Sequence, residues 1–441
     1  MNDIIIDFSQ STGPVKALHG VNNSPATFGQ PIDSFREAGI PYVRLHDTMG
    51  AYGGTVFVDV PNIFPDFSAD ENDPASYQFE FTDAYLAGLT ASGCQIFYRL
   101  GVTIENRYKI RRVHTNMPPD FEKWARICEH IVAHYNEGWA NGFRYDIRYW
   151  EIWNEPENPP MWAGTREDYF RLYETTACHL KKRFPQIRVG GYAGCGFYCL
   201  TRENMGEFYE SFMEWFDEFL ARMTGRVPVD FFSWHLYTDD PAELDAHARY
   251  VGDKLYEYGF YDTENIFNEW NYVTKNPTRF DDMKTADGAA FVAAAFALLQ
   301  AGPVDKAMYY DALPTRAYCG LYHFPSFRPA KPYFSFKAFN ALYRLGRAVK
   351  AESGVPGAYA VAAAGEKEKA VLLSCFHCQE ERLTVDMNGL GEGVKAVRVS
   401  RIDGESDLEP VKTEFFTADR AQLILPVNGN CVYLLQLETE A

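Results

Sequence analysis

The chain has no excess of basic residues. Of its 441 residues, 42 are Lys or Arg and 60 are Asp or Glu, which gives a net charge of −18. A surface this acidic repels the phosphates of nucleic acids and the head groups of anionic membranes. We therefore expect no nucleic-acid partner and no membrane partner, and a neutral substrate fits the charge better than a polyanion.

Long apolar runs and a basic leader are also missing. The most apolar window, residues 289–299, is too short to span a bilayer. The first seven residues, MNDIIID, lack the basic segment that opens a signal peptide. The nine cysteines are odd in number and form no regular framework. Without a secretion signal, this count predicts reduced thiols and a cytoplasmic location.

Cysteine pairs at the spacing of a zinc site are missing as well. Cys375 and Cys378 form a single C-x-x-C, and no second pair accompanies them. A structural zinc site needs four ligands at characteristic spacings. We therefore predict no metal and no cofactor.

The apolar residues that are present, 46% of the chain, follow a regular rhythm. Eight short apolar runs alternate with amphipathic stretches, and the runs start near residues 17, 41, 95, 149, 188, 229, 265 and 307. Thr165 and Asp168 have the spacing of a capping box before one helix. The Ala-rich helix over residues 286–301 is apolar nearly all round, so we expect it to be buried. The repeat predicts an α/β fold, with a (β/α)8 TIM barrel over residues 15–345.

The pattern changes after residue 345. Short alternating runs, separated by Gly, Asn and Asp turns, occupy residues 370–376, 383–386, 394–399, 422–426 and 431–437. Such runs predict a C-terminal antiparallel β-sandwich. We expect this second domain to cover residues 346–441 and to include a strand from residues 1–14.

Two glutamates end predicted barrel strands. Glu155 follows the fourth strand and Glu269 ends the seventh, so their carboxylates could face each other across the barrel mouth. Glycoside hydrolysis needs such a pair, because one group must protonate the leaving oxygen while the other attacks the anomeric carbon. A separation of about 5–5.5 Å would give retention of configuration. Burial among tryptophans would keep Glu155 protonated.

Other polar strand ends supply candidate substrate-binding residues. Asn154 could hydrogen-bond the sugar 2-hydroxyl, His235 and Tyr237 could orient the nucleophile, and Arg44 could hold it ionised. The alternative for Arg44 is an ion pair inside the barrel, and the alternative for His235 is a core histidine. The remaining candidates are His46, Trp270, Asp311 and Lys331, for which core packing or a loop position is the competing interpretation.

Four motifs resemble a known family when they are taken together. They are residues 43–46 (VRLH), 150–156 (WEIWNEP), 232–237 (FSWHLY) and 268–271 (NEWN). In this order they resemble the glycoside hydrolases of family 39, the β-xylosidase and α-L-iduronidase group of retaining barrel glycosidases. The resemblance spans about residues 15–345. It implies Glu155 as acid/base, and a β-sandwich after the barrel.

The resemblance also implies Glu269 as the nucleophile, but it has departures near the sugar pocket. Asp47 and Thr48 stand where xylosidases usually carry Gly, and the eighth strand carries Tyr309, Tyr310 and Asp311 where related barrels often place a Trp. No cluster of basic residues indicates a uronic acid as substrate, which argues against an iduronidase.

The sequence thus predicts a retaining, exo-acting β-xylosidase of xylo-oligosaccharides. An α-L-arabinosidase, or another pentose-directed glycosidase, is the alternative within the superfamily. A catalytically inactive sugar-binding protein is disfavoured because both glutamates are present. A Schiff-base lyase or aldolase is disfavoured because none of the eight predicted strands carries a Lys. The expected partner is an oligosaccharide or small glycoside, and a homo-oligomer is compatible with the sequence.

Overall fold

Eight parallel strands close into a barrel in the computed structural model, which describes residues 3–25, 29–46, 57–103, 117–159, 161–274, 278–314, 317–391 and 395–439. Asp47 and Thr48 lie outside these ranges. With an N-terminal strand counted as β1, the first nine strands are β1 (Asp3–Pro14), β2 (Ala17–Asn22), β3 (Tyr42–Leu45), β4 (Gln95–Leu100), β5 (Tyr149–Ile152), β6 (Arg188–Gly194), β7 (Phe231–Thr238), β8 (Glu264–Tyr272) and β9 (Lys306–Tyr309). Strands β2 to β9 pair in order, and β9 pairs with β2.

Helices connect the barrel strands on the outside. They are α1 (Asp33–Ala38), α2 (Val60–Ile63), α3 (Glu80–Ala91), α4 (Phe121–Asn136), α5 (Arg166–Arg183), α6 (Glu207–Met223), α7 (Pro241–Glu257), α8 (Ala286–Ala301) and α9 (Lys331–Leu345). Thr165 caps α5 with the predicted capping box, in which Asp168 bonds back to the Thr165 backbone. None of the helices in the described ranges is long and apolar enough to cross a bilayer. The cytoplasmic location stays a prediction.

The barrel interior changes character along its axis. At the amino ends of the strands it is closed by a cluster of five buried apolar side chains: Phe97, Tyr149, Phe231, Ile266 and Met308. Space here is tight, since a Cβ on Gly190 would lie 2.1 Å from the Phe231 carbonyl oxygen. Nearer the carboxyl ends, buried polar side chains fill the interior. The chemistry of the chain is therefore concentrated at one end of the barrel.

A second, nine-stranded sheet contains the rest of the chain. Its C-terminal strands are β10 (Arg347–Ser353), β11 (Ala358–Ala364), β12 (Glu368–Cys375), β13 (Arg382–Asn388), β14 (Lys395–Ile402), β15 (Asp407–Phe416), β16 (Arg420–Pro426) and β17 (Cys431–Thr439). The order is β15-β14-β17-β12-β11-β10-β1-β13-β16. The predicted barrel with a C-terminal β-sandwich is confirmed, except that β1 and β13 pair in parallel, so the sheet is only mostly antiparallel.

Helix α8 joins the two parts, and its predicted burial is confirmed. Eleven of its 16 residues are buried. One side packs against the barrel and the other against the second sheet, where Ser374 Oγ of β12 donates to the Ala290 carbonyl at 2.6 Å. The division into domains at residues 15–345 and 346–441, with 1–14 added to the second, stays a prediction.

Candidate active site

Glu155 lies three residues beyond the end of β5, at the mouth of the barrel. Its backbone N–H donates to the Ala193 carbonyl of β6 at 3.0 Å, and its φ is 46°. A positive φ is costly for a residue with a Cβ, of order 1–3 kcal/mol. The neighbouring strand therefore holds this backbone in place. Only 8% of Glu155 is exposed.

Glu269 lies on β8 and is held by two donors. The Tyr237 hydroxyl donates to its Oε1 at 2.5 Å, and Arg44 Nη1 donates to its Oε2 at 3.0 Å. His46 Nε2 lies 3.9 Å from the same Oε2. Burial, followed by the charges of Arg44 and Arg99, lowers the pKa of His46 well below its usual range. This imidazole is therefore neutral, and the positive charge in contact with Glu269 comes from Arg44.

His235 lies between the two glutamates. Its Nδ1 is 2.7 Å from Glu155 Oε1, and its Nε2 is 3.6 Å from Glu269 Oε2. Burial lowers the pKa of His235 to about 4, so the ring is neutral at neutral pH. A neutral ring has one N–H and one lone pair. A proton on Nε2 would point towards the Glu269 carboxylate, and Nδ1 would then accept the proton of a neutral Glu155.

The two carboxyl groups are close. One oxygen of Glu155, one of Glu269 and a ring nitrogen of His235 all lie within 4.8 Å of one another. Burial raises the pKa of both glutamates, and their mutual repulsion raises that of Glu269 further. Glu269 accepts hydrogen bonds from the guanidinium of Arg44 and from a phenol, whereas Asn158 gives Glu155 a weaker amide bond at 3.2 Å. The guanidinium and the phenol therefore favour the ionised form of Glu269 more than the Asn158 amide favours that of Glu155.

Arg44 connects the side chains of this site. Besides Glu269, its guanidinium donates to Glu151 Oε2 at 2.7 Å, to Asn22 Oδ1 at 2.9 Å and to Asn154 Oδ1 at 2.6 Å. Glu151 is fully buried and also accepts from Ser233 and Asn268. The structure therefore contains both contacts that the sequence offered for Arg44. Arg44 forms an ion pair inside the barrel with Glu151, and it also contacts Glu269.

The other sequence-predicted residues divide into two groups. Asp311 lies at the rim, where its Oδ2 accepts from Asn23 Nδ2 at 3.0 Å, and Asn23 Oδ1 accepts from the His46 backbone N–H. Lys331 is not brought to this network, because its ammonium binds the Ser406 carbonyl at 3.0 Å and the Asp407 carboxylate at 2.7 Å.

Trp270 is not brought to the network either. Its fully buried ring packs between the barrel and the helices, 6.0 Å from the Phe296 ring of α8 and 5.2 Å from Tyr309. The expectation that no barrel strand carries a Lys is also wrong, since β9 begins at Lys306. That ammonium pairs with Glu264 at 3.0 Å, at the amino ends of the strands and away from the mouth.

Two tyrosines border the side chains around Glu269: the sequence placed Tyr310 near the sugar pocket, whereas sequence reasoning missed Tyr318. The Tyr310 ring lies 5.8 Å from His46 and 6.4 Å from Tyr237, and the Tyr318 ring lies 5.3 Å from Tyr237. Tyr318 is held in place because its carbonyl accepts from Asn271 at 2.6 Å. The signal for Tyr310 was its position at the end of the eighth strand. Tyr318 lies in a loop, where no pattern indicated it.

Glu157 was also missed, although it is two residues from Glu155. It is 6% exposed, and its Oε1 accepts from the Cys195 backbone N–H at 2.5 Å. Its Oε2 has no hydrogen-bond partner among the residues that the structure describes. Burial raises the pKa of Glu157 to about 8. This carboxyl is therefore neutral at neutral pH.

The site is better suited to proton transfer than to a metal ion. Within the described ranges, Glu155, His235 and Glu269 form the group whose ligand atoms are close enough to share one ion. The Arg44 guanidinium, 3.0 Å from Glu269, would repel that ion and already supplies positive charge. The absence of a metal stays a prediction.

Replacing Glu157 by Gln should stabilise the protein at pH 8 and change its stability little near pH 5. As the pH rises above the ordinary value of 4.5, the unfolded state ionises Glu157 while the folded state keeps the proton until about pH 8. The wild type therefore loses stability across this range and the neutral Gln variant does not. The gap, defined as the melting temperature of the Gln variant minus that of the wild type, is measured from pH 5 to pH 8. The exposed Glu366→Gln control should show no gap, and a Glu157→Gln gap that does not grow with pH would contradict the buried neutral carboxyl.

The chain matches known proteins over most of the barrel. Residues 25–285 match the model of glycosyl hydrolases family 39, which covers more than half of the chain. A β-xylosidase of Geobacillus stearothermophilus is 28% identical over 210 residues, or 45% of this chain. That match covers 37% of the relative, so the chain spans well under two thirds of the relative's length.

Solved structures match over almost their whole length. A glucosidase from Croceicoccus marinus superposes with a TM-score of 0.81 at 21% identity, covering 100% of this chain and 99% of that one. A monomeric β-xylosidase from Caulobacter crescentus superposes with a TM-score of 0.73 at 19% identity, covering 100% of both chains. At these identities the superpositions establish the fold. The family model, which matches more than half of the chain, shows that the chain belongs to glycosyl hydrolases family 39.

Proposed function

We propose that the chain is a retaining glycosidase that removes xylose from the ends of short β-xylosides. The observation that carries the proposal is the separation of the two carboxyl groups, whose oxygens approach within 4.8 Å. Retaining enzymes hold this pair about 5–5.5 Å apart, whereas inverting enzymes need about 6.5–9.5 Å to admit a water molecule. Glu155 and Glu269 fit the retaining class.

In the first step Glu269 attacks and Glu155 donates. A Glu269 carboxylate oxygen forms a bond to the anomeric carbon while the bond from that carbon to the leaving oxygen breaks. The proton of Glu155 moves to the leaving oxygen, so the leaving group departs as an alcohol. Arg44 and Tyr237 support this step, because their hydrogen bonds keep Glu269 ionised and fix its direction.

In the second step the two glutamates exchange charge states. The ester on Glu269 is neutral, so the repulsion between the two carboxyl groups disappears. The pKa of Glu155 then falls, and Glu155 takes a proton from water as that water attacks the anomeric carbon. The ester bond breaks, Glu269 recovers its negative charge, and Glu155 is protonated again.

His235 and Asn154 hold the reacting groups in place. His235 Nδ1 lies 2.7 Å from Glu155 Oε1 and can accept a hydrogen bond from the protonated Glu155 carboxyl. The Asn154 oxygen is occupied by Arg44 at 2.6 Å, which leaves the amide Nδ2 as the donor for the sugar 2-hydroxyl. A bond to that hydroxyl strengthens in the transition state.

The choice of xylose is supported by the relatives. The Geobacillus stearothermophilus relative and the Caulobacter crescentus neighbour are both described as β-xylosidases. The rim bears Tyr310 and Tyr318, and their rings provide flat faces of the kind on which sugars stack. A pentose-directed activity such as α-L-arabinosidase is the alternative. A homo-oligomer stays a prediction.

Replacing Glu155 by Ala should affect substrates according to their leaving groups. A dinitrophenyl β-xyloside leaves without a proton, so its kcat/KM should fall by less than about tenfold. Xylobiose needs the proton, and its kcat/KM should fall by roughly 10²–10⁴-fold. Glu264→Gln, on β8 at the opposite end of the barrel, is the control and should leave the ratio of the two substrates unchanged. Equal losses for both substrates would contradict the acid role of Glu155.

A screen of nitrophenyl glycosides tests the sugar. The purified protein should hydrolyse the β-xyloside with the highest kcat/KM among β-xyloside, α-L-arabinosides, β-glucoside and β-galactoside. A higher value for the arabinoside or the glucoside would show that the sugar assignment is wrong while leaving the two-carboxylate mechanism in place. If the protein hydrolyses none of these glycosides, the inactive sugar-binding alternative is favoured.

A further inference from the structure

The C-x-x-C of the sequence has a third cysteine beside it. Cys375 ends β12 and Cys431 begins β17, and the antiparallel register places them directly opposite each other. Both are buried, with exposed fractions of 0% and 2%. Their side chains lie in the same core cluster as Leu373 and Leu435, so they point to the same face of the sheet. Cys431, on the last strand, is therefore a partner for Cys375 that the sequence spacing did not reveal.

The strand geometry suits a covalent bond between these two residues. Directly opposed residues of an antiparallel pair have Cα atoms about 4.5–5.5 Å apart. Disulfides span Cα separations of about 4.4–6.8 Å. Within the described ranges, the cysteines of this cluster do not form a three-ligand group close enough for a metal ion. The arrangement therefore suits oxidation better than metal binding.

We propose that Cys375 and Cys431 are a redox-sensitive pair that closes into a disulfide when a small-molecule disulfide, such as oxidised glutathione, acts on the protein. The proposal is independent of the glycosidase activity. It gives the cysteines of the second sheet a role as a modification site. Both thiols are free in the structure.

The reaction balances as two exchanges. The Cys431 thiolate attacks one sulfur of the small disulfide, forming a mixed disulfide and expelling one small thiolate, which takes up a proton. The Cys375 sulfur then loses its proton, attacks the Cys431 sulfur and expels the second small thiolate. Two protein thiols are oxidised by two electrons, and one small disulfide is reduced to two small thiols.

The position of the pair favours Cys431 as the attacking sulfur. Cys431 lies just after the exposed residues 428 and 429 and keeps 2% of its surface exposed, whereas Cys375 has no exposed surface. The hydrogen bond from the Cys375 thiol, helped by the backbone at Asn428, lowers the pKa of Cys431. The same hydrogen bond and burial raise the pKa of Cys375. The sulfur with the lower pKa is the one that forms a thiolate more readily.

The disulfide would stabilise the contact between helix α8 and the second sheet. Next to Cys375, Ser374 Oγ donates to the Ala290 carbonyl of α8 at 2.6 Å. Next to Cys431, Asn430 Nδ2 donates to Asp287 Oδ1 at the start of α8 at 2.8 Å. A bond between the cysteines would join the two strands that hold this helix. It would also constrain the unfolded chain, so oxidation should raise the melting temperature by several degrees.

Thiol counting and peptide mapping test the proposal. The native protein is incubated with excess oxidised glutathione, then unfolded and alkylated with N-ethylmaleimide. The alkylated thiols should fall from nine to seven, one cross-linked peptide pair should join residues 375 and 431, and dithiothreitol should restore all nine. The oxidised protein should melt at a higher temperature than the reduced one, with hydrolysis of the aryl xyloside changed by less than about twofold.

Cysteine variants provide the controls. The exposed Cys178→Ser variant should still lose two thiols and gain the same thermal shift. Cys375→Ser and, separately, Cys431→Ala should show neither change. Retention of nine thiols, glutathione adducts without a cross-link, or a bond from Cys378 to either partner would overturn the assigned pair. A bond between residues 375 and 431 with an unchanged melting temperature would overturn the role of the disulfide in stabilising the contact between helix α8 and the second sheet.

Discussion

One buried guanidinium organises the mouth of this barrel. Arg44 donates to Asn22, Glu151, Asn154 and Glu269, and it has no exposed surface. A buried charge is tolerated only when it is paired and hydrogen-bonded, and removing one partner costs about 3–5 kcal/mol. The planar guanidinium reaches several acceptors in fixed directions, which the point charge of a Lys would not do. The positions of strands β2, β3, β5 and β8 relative to one another are thus tied to a single side chain.

The distance from this guanidinium determines which side chains carry charge. Glu269 contacts it directly and also accepts from Tyr237, and both donors favour its ionised form. Burial raises the pKa of Glu155, Glu157 and Glu269 alike, but Glu155 and Glu157 do not bond to the guanidinium. His235, between the two catalytic candidates, is kept neutral by burial. The proposed mechanism requires one ionised carboxylate beside one protonated carboxyl, and the unequal donors around Glu269 and Glu155 favour this asymmetry.

The sequence predicted what depends on local pattern. Alternating strands and helices predicted the barrel, and strand ends predicted Glu155 and Glu269, because polar residues after apolar runs are a local signal. Trp270 was misplaced because β8 shifts register between Phe267 and Trp270. The irregularity turns both Asn268 and Glu269 inwards, so the ring that follows faces the helices. Side-chain partners that are distant in sequence, such as Glu151 for Arg44, depend on the register of neighbouring strands, which no single-chain pattern specifies.

Covalent trapping tests most directly whether Glu269 attacks the anomeric carbon. A dinitrophenyl 2-deoxy-2-fluoro-β-xyloside forms the glycosyl ester quickly, but the ester hydrolyses slowly. The fluorine destabilises both transition states, and the good leaving group keeps only the first step fast. If Glu269 is the nucleophile, one dinitrophenol per chain is released in a burst, and the peptide that contains Glu269 carries a fluoroxylosyl adduct. An adduct on another residue, or turnover without an adduct and with inverted product, would contradict the account.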